Sequence, residues 1–535
     1  MISVCDVIHS ACRRHGSRVA LQTVSGAAPQ ADSYRTVGSL TYGELYDRTL
    51  RFGDALVRRL GMRPGDRVAV LLDNSAEMVV SEWACLLGGH LWVALNARSS
   101  AHEHELLLAD SAPRVLLVAE KYQRTIAGIA LPASCRVVVV GPDGQWRRLL
   151  EEAEPRLPAR APGPEDPVRI RYTSGTAGLP KGAVLPRRCY DASFETVGEL
   201  LGPLHEDDVL AQVAPMTHAA GAMWLPHAAA GARALLVEHF HEGAFVGLVE
   251  RAHVSAAFLV PTMLVRLIET LQGMPARQAA SRMRSLRSIV YGGAAMPVDR
   301  LRKGLELLGP VFVQIYGLTE SNWPATALRR EEHIVDGTAE AQLRRLTSCG
   351  RPTPVGELRI VDERGRDLAA GQVGQILLRG ANTMKGYWGK DGDAGDEAGK
   401  GLDAGGWMHT GDVAVRDERG FITIVDRLHD MIVSGGFNVY PREVENALSS
   451  HPAVLEAAVV GLPSALWGEV VHAAVVLRPG AAASEDELAV HVAQQTAAYK
   501  KPRSFEFVSE LPRNAAGKVL RRVLRDFRKT TKPPA

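Results

Sequence analysis

The segment Tyr172-Thr-Ser-Gly-Thr-Ala-Gly-Leu-Pro-Lys-Gly182 holds three glycines, three Ser or Thr hydroxyls and one lysine within eleven residues. It follows Val168-Arg-Ile-Arg171, whose alternation of apolar and charged residues predicts a short strand. Glycines let the backbone approach an anion closely, and consecutive amides can then point at phosphate oxygens. The hydroxyls and the Lys181 ammonium would add donors and positive charge. The segment therefore fits either a loop that binds nucleotide phosphates or an ordinary surface turn.

The spacing of this segment excludes the Walker type of phosphate loop. That motif needs a second glycine, followed by lysine, five residues after the first. Here Pro180 stands five residues after Gly175, so the motif is absent. The residue types of this one segment leave phosphate binding and a plain turn open.

Length and composition predict a globular protein of several domains. The 535 residues exceed what one core organises, and the contents of hydrophobic residues (46%) and charged residues (23%) are ordinary. A net charge of +2 gives no electrostatic reason to expect nucleic acid or an acidic membrane as partner. The six cysteines form no Cys-x-x-Cys pair, so neither a zinc site nor a disulfide framework is predicted.

The chain shows no targeting or membrane-spanning pattern. Asp6 and His9 interrupt the start where a signal peptide would be apolar. No apolar run approaches the roughly 20 residues of a transmembrane helix. We expect a reduced, cytoplasmic compartment.

Strand and helix patterns alternate over the first two thirds of the chain. Val68-Ala-Val-Leu-Leu72 is typical of a buried strand, and Thr41 with Glu44 predicts a helix that begins with a capping box. This alternation of strands and helices predicts a doubly wound α/β core. From about Ser348 short strands separated by Gly and Asp turns predict an antiparallel barrel or distorted sheet. After Arg427 the pattern is that of a compact α+β domain, with a helix beginning at Pro441.

Six further segments follow one another along the chain. They are Ala214-Pro-Met-Thr-His-Ala-Ala-Gly221, Tyr291-Gly-Gly-Ala-Ala-Met-Pro297, Gln314-Ile-Tyr-Gly-Leu-Thr-Glu320, Gly406-Trp-Met-His-Thr-Gly-Asp412, Asp426-Arg-Leu-His-Asp430 and Leu511-Pro-Arg-Asn-Ala-Ala-Gly-Lys518. Together with the first segment they resemble, in order, the signature motifs of the adenylate-forming superfamily. This superfamily includes acyl-CoA synthetases, luciferases and the adenylation domains of peptide synthetases.

The resemblance implies a domain plan. Residues 1–427 would form a large adenylation domain, with α/β subdomains at about 1–200 and 201–347 and a small β-barrel-like subdomain at 348–427. Residues 428–535 would form a small, mobile α+β lid domain. The hinge between the two domains would lie near Arg427.

The resemblance also assigns the parts of ATP. The β- and γ-phosphates would contact the first loop through Thr173, Ser174, Gly175, Thr176, Gly178 and Lys181. The adenine would lie against Tyr316 and Gly317, beside the backbone of Gly293 and Ala294. The ribose would bind Asp412, whose carboxylate can accept two hydrogen bonds, with support from Arg427.

Four residues would carry the chemistry. A carboxylate must be activated before a thiol can attack it, and charge then builds on phosphate oxygens. By resemblance, Thr319 contacts the α-phosphate, Glu320 holds Mg²⁺, which prefers oxygen ligands, and Lys518 neutralises the carboxylate and α-phosphate oxygens. His218 would form a wall between acyl and thiol tunnels. Apart from the motifs, a lone lysine or histidine in these settings is typical of a surface or packing residue.

A further segment concerns the thiol. Val433-Ser-Gly-Gly-Phe-Asn-Val-Tyr-Pro441 resembles the loop that faces coenzyme A in acyl-CoA ligases of fatty or aryl acids. Gly435 and Gly436 have no side chains to block a narrow pantetheine tunnel, although a tight turn would use them equally well.

Three positions depart from the family pattern. His429 stands where Lys or Asp is usual and could make the hinge sensitive to pH. Pro186-Arg187 replaces Thr-His or Ser-His, and Gln375 replaces Glu.

These observations predict an AMP-forming acyl-CoA synthetase. Its substrates would be ATP with Mg²⁺, coenzyme A and a small carboxylic acid, either a medium- or long-chain fatty acid or an aromatic acid. The main alternative is an acyl-AMP ligase that loads a carrier protein; a luciferase-like oxygenase and a non-catalytic binding protein are more remote. No nucleic-acid partner is expected. The oligomeric state is open, with a homodimer among the alternatives.

Overall fold

The structure is a computed structural model that describes residues 1–26, 34–141, 144–173, 180–334, 338–389, 401–428, 430–434, 437–464, 467–513 and 519–527. Its contacts divide the chain into two compact units. Unit 1 comprises Met1–Thr173, Pro180–Leu358 and Leu378–Met408. Unit 2 contains Arg359–Leu377 and the described residues from His409 onward. The hinge near Arg427 stays a prediction.

Sixteen α-helices lie in the described part of the chain. They are α1 (Val4–Arg14), α2 (Tyr42–Arg58), α3 (Ala76–Gly88), α4 (Ala101–Ser111), α5 (Gln123–Ile126), α6 (Gln145–Glu151), α7 (Arg187–Leu201), α8 (Trp224–Ala229), α9 (Glu242–Ala252), α10 (Pro261–Gln272), α11 (Ala276–Met283), α12 (Val298–Leu308), α13 (Ala339–Thr347), α14 (Pro441–Ser449), α15 (Glu485–Gln495) and α16 (Arg521–Phe527).

The described strands number twenty-five. They are β1 (Val19–Gly26), β2 (Tyr34–Thr41), β3 (Arg67–Leu71), β4 (Leu91–Ala94), β5 (Val115–Ala119), β6 (Arg136–Val140), β7 (Pro167–Tyr172), β8 (Gly182–Pro186), β9 (Val209–Gln212), β10 (Arg233–Val237), β11 (Ala256–Leu259), β12 (Ser288–Gly292), β13 (Phe312–Tyr316), β14 (Thr326–Leu328), β15 (Arg351–Pro352), β16 (Gly356–Val361), β17 (Val373–Gly380), β18 (Gly386–Tyr387), β19 (Met408–Arg416), β20 (Ile422–Arg427), β21 (Ile432–Ser434), β22 (Phe437–Val439), β23 (Val454–Ser464), β24 (Gly468–Leu477) and β25 (Ser504–Phe507).

Unit 1 contains two large sheets. The nine-stranded sheet has the order β15-β14-β13-β12-β11-β9-β10-β1-β2, and its strands from β13 to β1 run parallel. The seven-stranded sheet has the order β18-β8-β7-β4-β3-β5-β6, with parallel strands from β7 to β6. Parallel strands joined through helices explain the near-continuous apolar runs in the sequence. The predicted α/β class is confirmed.

Unit 2 is built on smaller sheets. A four-stranded sheet in the order β16-β17-β19-β20, most of whose residues belong to this unit, occupies the predicted β subdomain. A five-stranded sheet has the order β22-β21-β24-β23, with β25 pairing with β24. Helices α14 and α15 contribute Val444, Leu448, Leu488 and Val492 to its core. The small α+β domain is thus confirmed.

Local signals in the sequence correspond to observed helix starts. Thr41 caps α2 and forms the predicted capping box with Glu44. Helix α14 has Pro441 in its first turn. At the unusual Pro186-Arg187, the buried Arg187 guanidinium binds Asp191 one turn later at 2.8 Å, and Asp191 also accepts the Val4 amide. This ion pair shows how the chain packs at the position where Pro186-Arg187 departs from the family pattern.

The described residues include no helix that is both long and apolar enough to cross a membrane.

Candidate active site

Two parallel strands of unit 1 bring the adenine motifs to one edge. Strands β12 and β13 pair in register, with Gly292 opposite Ile315, so the residues that follow both strands emerge side by side. Gly293 is exposed and has φ +85°, a left-handed conformation that favours glycine. Ala294 is exposed beside it, and Tyr316 and Gly317 are half-buried. The structure therefore brings these four predicted residues to the same sheet edge.

A buried hydrogen-bond chain lies behind this edge. The Tyr291 hydroxyl donates to Gln314 Oε1 at 3.2 Å and lies 3.0 Å from His333 Nε2. The Nδ1 atom of His333 lies 2.8 Å from the Arg329 carbonyl. Burial lowers the pKa of His333 to about 4, so this imidazole is neutral at neutral pH. The Tyr291–Gln314 hydrogen bond joins β12 to β13 next to the residues predicted to contact adenine.

Thr319 and Glu320 lie in a short 3₁₀ turn after β13. The Ser321 hydroxyl accepts the Leu318 amide at 2.9 Å, and the Glu320 carbonyl accepts the Met384 amide at 2.7 Å. The Tyr387 hydroxyl donates to Glu320 Oε1 at 2.8 Å. The Lys181 ammonium lies 5.2 Å from the centre of the same Tyr387 ring. Tyr387 thus links the predicted metal ligand to the predicted phosphate-loop lysine.

The surroundings of Glu320 fit one metal ion that is shared with a substrate. The described residues contain no group of three His, Cys, Asp or Glu side chains that could hold a metal alone. Mg²⁺ commonly takes one or two protein carboxylates and completes its octahedron with phosphate oxygens and water. Glu320 supplies such a carboxylate, with Oε1 oriented by Tyr387. A site completed by ATP phosphates is therefore consistent with these residues.

The ends of the phosphate loop are held together. Strands β7 and β8 pair as an antiparallel hairpin with Tyr172 opposite Gly182. The Thr173 amide donates to the Lys181 carbonyl at 2.9 Å, which places these two predicted residues side by side. A Cβ at Gly182 would lie 2.7 Å from Ile170 Cγ2, so this position needs glycine. Ser174, Gly175, Thr176 and Gly178 lie outside the described residues.

His218 stands at the end of the loop that follows β9. Its Nδ1 lies 2.8 Å from the Thr217 hydroxyl. The Thr217 carbonyl accepts from the buried Arg169 guanidinium at 2.8 Å, and Arg169 forms an ion pair with Glu82 at 2.9 Å. Removing one partner of a buried ion pair is far more costly than removing an exposed charge. The Arg169–Glu82 pair therefore holds the His218 loop on the neighbouring sheet.

A narrow apolar cavity adjoins both the His218 turn and the Glu320 turn. Its volume is about 10 Å³, room for about one water molecule. Ala219, Ala222 and Met223 line it from the turn that follows His218, and Trp323 lines it three residues after Glu320. The remaining lining comes from Val197, Leu200, Leu201, Phe258, Val290, Val313 and Ile315. Ala294 and Met296, which belong to the Tyr291–Pro297 motif, do not line it.

Unit 2 carries the predicted ribose residues. Strands β19 and β20 pair with Asp412 opposite Arg427, and the Arg427 Nε lies 2.5 Å from Asp412 Oδ1. The Asp412 side chain is buried and that of Arg427 is half-exposed. The two predicted residues are therefore in direct contact.

The neighbouring Asp426 is buried against two backbone amides. It accepts the amides of Arg427 at 2.7 Å and Arg442 at 2.8 Å. Burial nevertheless raises the pKa of Asp426 to about 6. The Asp426 carboxylate therefore joins the end of β20 to the start of α14 through two backbone hydrogen bonds.

Helix α16, near the C-terminus, is basic and makes ion pairs within unit 2. Arg521 binds Glu445 at 2.8 Å and Asp430 at 3.2 Å, and Arg525 binds Asp430 at 2.9 Å. These pairs anchor α16 within unit 2 because both arginines face acidic partners. Lys518, His429, Gly435 and Gly436 lie outside the described residues.

Sequence reasoning missed three residues of unit 1. Tyr387 orients Glu320, Arg169 holds the His218 loop, and Trp323 lines the cavity. No motif marks Tyr387 or Trp323. A signal did exist for Arg169, since a charged residue in a strand buried on both faces requires a partner.

Comparison with known proteins is consistent with this geometry. The AMP-binding enzyme family model matches residues 8–388, and the AMP-binding enzyme C-terminal domain matches residues 443–518. A feruloyl-CoA synthase from Amycolatopsis sp is 36% identical over 92% of this chain and 95% of its own length. The fatty acid–[acyl-carrier-protein] ligase ScoC from Streptomyces coeruleorubidus is 34% identical over 91% of each.

A solved structure extends the likeness to the fold. The ATP-bound crystal structure of MatB from Rhodopseudomonas palustris superposes with a TM-score of 0.85 at 28% identity, covering 99% of both chains. The sequence motifs, the division into two units and these matches all indicate the same family. The chain belongs to the AMP-binding, adenylate-forming enzyme family.

Proposed function

We propose that this enzyme is an AMP-forming acyl-CoA synthetase for a medium- or long-chain fatty acid or an aromatic acid. The observation that carries the proposal is the apolar cavity between the His218 turn and Trp323. Every residue that lines it is hydrophobic, and such a lining favours a hydrocarbon or aromatic tail. Because the cavity is narrow, the tail must enter by displacing side chains, and the flexible Met223 suits that movement.

The first half-reaction would make an acyl-adenylate. A carboxylate oxygen attacks the α-phosphorus of ATP, the bond to the β-phosphate oxygen breaks, and pyrophosphate leaves. We assign Thr319 to the α-phosphate and Lys518 to the carboxylate and α-phosphate oxygens, since positioned donors are most effective where charge develops. Lys181 and the hydroxyls of its loop would hold the departing pyrophosphate. Mg²⁺ at Glu320 would supply further positive charge to the phosphate oxygens.

The second half-reaction would make the thioester. The sulfur of coenzyme A attacks the acyl carbonyl, the carbonyl carbon–oxygen bond to the phosphate breaks, and AMP leaves. Gly435 and Gly436 would leave a path for pantetheine, and His218 would separate that path from the acyl cavity. Asp412 and Arg427 would hold the ribose, with the adenine between Tyr316–Gly317 and Gly293–Ala294.

A carrier-protein thiol is the second candidate acceptor. The 34% identity to a ligase named for fatty acid and acyl carrier protein favours it. The 36% identity to a feruloyl-CoA synthase favours coenzyme A. Both acceptors share the first half-reaction, so only the second separates them.

The test is ATP–pyrophosphate exchange with a panel of acids, followed by thioester formation with the best acid. We expect exchange with octanoate-like or cinnamate-like acids, and coenzyme A consumption without any carrier protein. Exchange with no coenzyme A consumption would support the carrier-protein ligase. Absence of exchange with every acid would contradict both functions.

A further inference from the structure

Strand β7 carries a second arginine, Arg171, which lacks the carboxylate partner that Arg169 has. Arg169 and Arg171 are two residues apart on one strand and therefore share a face. Arg169 pairs with Glu82, and the Tyr190 hydroxyl also donates to that carboxylate at 3.0 Å. Within the described residues Arg171 makes no ion pair. Two guanidinium groups thus face one carboxylate.

The contacts of Arg171 leave much of its guanidinium unused. Its Nη1 donates to Asn322 Oδ1 at 3.0 Å. Its buried Nε has no hydrogen-bonding partner in the part of the chain that the structure describes. Burial and the neighbouring Arg169 charge lower the pKa of Arg171 to about 9, which still leaves it charged at neutral pH. Arg171 is only partly exposed, and a cation largely removed from water without a counterion is unfavourable, so a bound anion would relieve that cost.

The position of Arg171 indicates which anion would bind it. Asn322 follows Glu320 by two residues and precedes Trp323, which lines the acyl cavity. Both Asn322 and Trp323 have left-handed backbone conformations, with φ of 37° and 43°. Such strain in non-glycine residues persists only where surrounding contacts hold it, and Arg171 and the Cys189 carbonyl hold the Asn322 side chain. Arg171 therefore acts on the segment between the phosphate-contacting turn and the hydrophobic cavity.

We propose that Arg171 binds the carboxylate of the acid substrate before it is adenylated. The cavity takes the apolar tail, so the carboxylate end of the acid lies towards the polar turn to which Arg171 is bonded. The guanidinium fork matches a carboxylate and has donors to spare. This inference rests on the proposed function for the identity of the acid, and it adds a substrate-binding residue that no motif marks.

Binding of an acid and of its neutral amide tests the role of the charge. Octanoate and octanamide, and cinnamate and cinnamamide, have nearly the same shape but differ in charge. Equilibrium dialysis should give wild-type enzyme a preference for the acid on the order of 10- to 100-fold, the usual range for a charge-assisted contact. Arg171→Met should lose most of that preference, and Arg171→Lys should keep part of it.

The controls separate binding from folding. Arg171→Gln retains a donor for Asn322 but no charge, so it should fold as wild type and still lose the preference. Arg233→Met removes a half-buried strand arginine of unit 1 that bonds Gln22 and the Ala252 carbonyl, and it should bind as wild type. A preference for the acid that persists in Arg171→Met and Arg171→Gln, or no preference in wild type, would overturn the proposal.

Two kinetic measurements complete the test. In Arg171→Met the KM for the acid in pyrophosphate exchange should rise by a similar factor while the KM for ATP stays unchanged. Thioester formation from a chemically prepared acyl-adenylate should also stay unchanged, because that substrate has no free carboxylate. An equal loss in both half-reactions would instead make Arg171 structural. If wild-type enzyme binds the acid more tightly than the amide but catalyses no pyrophosphate exchange, the proposed function is contradicted. The Arg171 proposal would still be supported by that result.

Discussion

One hydrogen bond orients the carboxylate of Glu320. The Tyr387 hydroxyl donates to Oε1, and no other described residue donates to this carboxylate, which leaves Oε2 without a protein donor in the described part of the chain. The ring of Tyr387 has a separate role, because the Lys181 ammonium lies over it. Hydroxyl and ring can therefore be tested independently.

Tyr387→Phe removes the hydroxyl and keeps the ring. We expect the Mg²⁺ concentration for half-maximal pyrophosphate exchange to rise on the order of 10-fold, as for other groups that orient a metal ligand. Saturating Mg²⁺ should restore most of the rate. A Mg²⁺ titration curve identical to that of wild type would show that the hydroxyl does not orient Glu320.

Lys518 is the residue on which the first half-reaction depends in this account. Lys518→Ala should lower the pyrophosphate-exchange rate by about 100-fold or more, the usual cost of one charge-stabilising group. Thioester formation from prepared acyl-adenylate should fall much less. The matched control is the exposed Lys501, since Lys501→Ala should exchange at the wild-type rate. Undiminished exchange in Lys518→Ala would remove its assigned role.

At the scale of elements, the 3₁₀ turn Ala219–Met223 forms one wall of the cavity proposed for the acyl group. A cavity of about 10 Å³ tolerates little added volume. The size of the side chain at Ala222 should therefore set which acids enter.

Ala222→Phe should block long and aromatic acids. Overpacking of about 1–3 kcal/mol corresponds to roughly a 5- to 150-fold rise in KM for octanoate or cinnamate. Acetate and propionate, which reach less far, should change little. Ala276→Phe, at the exposed start of α11, serves as the control. Equal effects on short and long acids would place the acyl site elsewhere.

Elements whose signals are local were predictable from the sequence. The capping box at Thr41 spans three residues, and the strands at Val68 and Val115 are continuous apolar runs, so each is decided by neighbouring residues. The hydrogen bond between Tyr387 and Glu320 joins residues 67 positions apart. Such a contact depends on which loops the sheets bring together, and one sequence carries no local trace of it.

At the scale of the whole molecule, the motifs likewise report what neighbouring residues decide and not which distant residues come into contact. The motifs assign adenine and ribose to residues that lie on or directly after paired strands, β12 with β13 and β19 with β20. The motifs did not reveal that only one of the two arginines on β7 has an acidic partner. The alternating pattern predicts that Arg169 and Arg171 share a face, but it does not predict that Glu82 pairs only with Arg169. The acid remained undetermined since the cavity is lined from six separate regions of the chain.

Buried histidines make unit 1 sensitive to acid. Burial lowers the pKa of His227 and of His333 to about 4, from 6.5 for an exposed imidazole. Between these values the unfolded chain binds more protons than the folded one, so the free energy of unfolding falls as pH falls from about 6.5 to 4. Each histidine contributes at most about 1.4 kcal/mol per pH unit.

Urea unfolding at pH 7 and pH 5 measures this effect. Wild type should be less stable at pH 5, and His333→Gln should show a smaller difference between the two pH values. The exposed His102→Gln should behave as wild type. A stability difference that His333→Gln leaves unchanged would show that another group is responsible.

We propose above that the enzyme cleaves ATP between the α- and β-phosphates to drive thioester formation on coenzyme A. Quantifying every product of one reaction, with the acid that gives the best exchange, tests it most directly. We expect one AMP, one pyrophosphate and one acyl-CoA for each acid consumed, with no carrier protein present. Formation of ADP and phosphate, or of acyl-adenylate that coenzyme A does not consume, would contradict it.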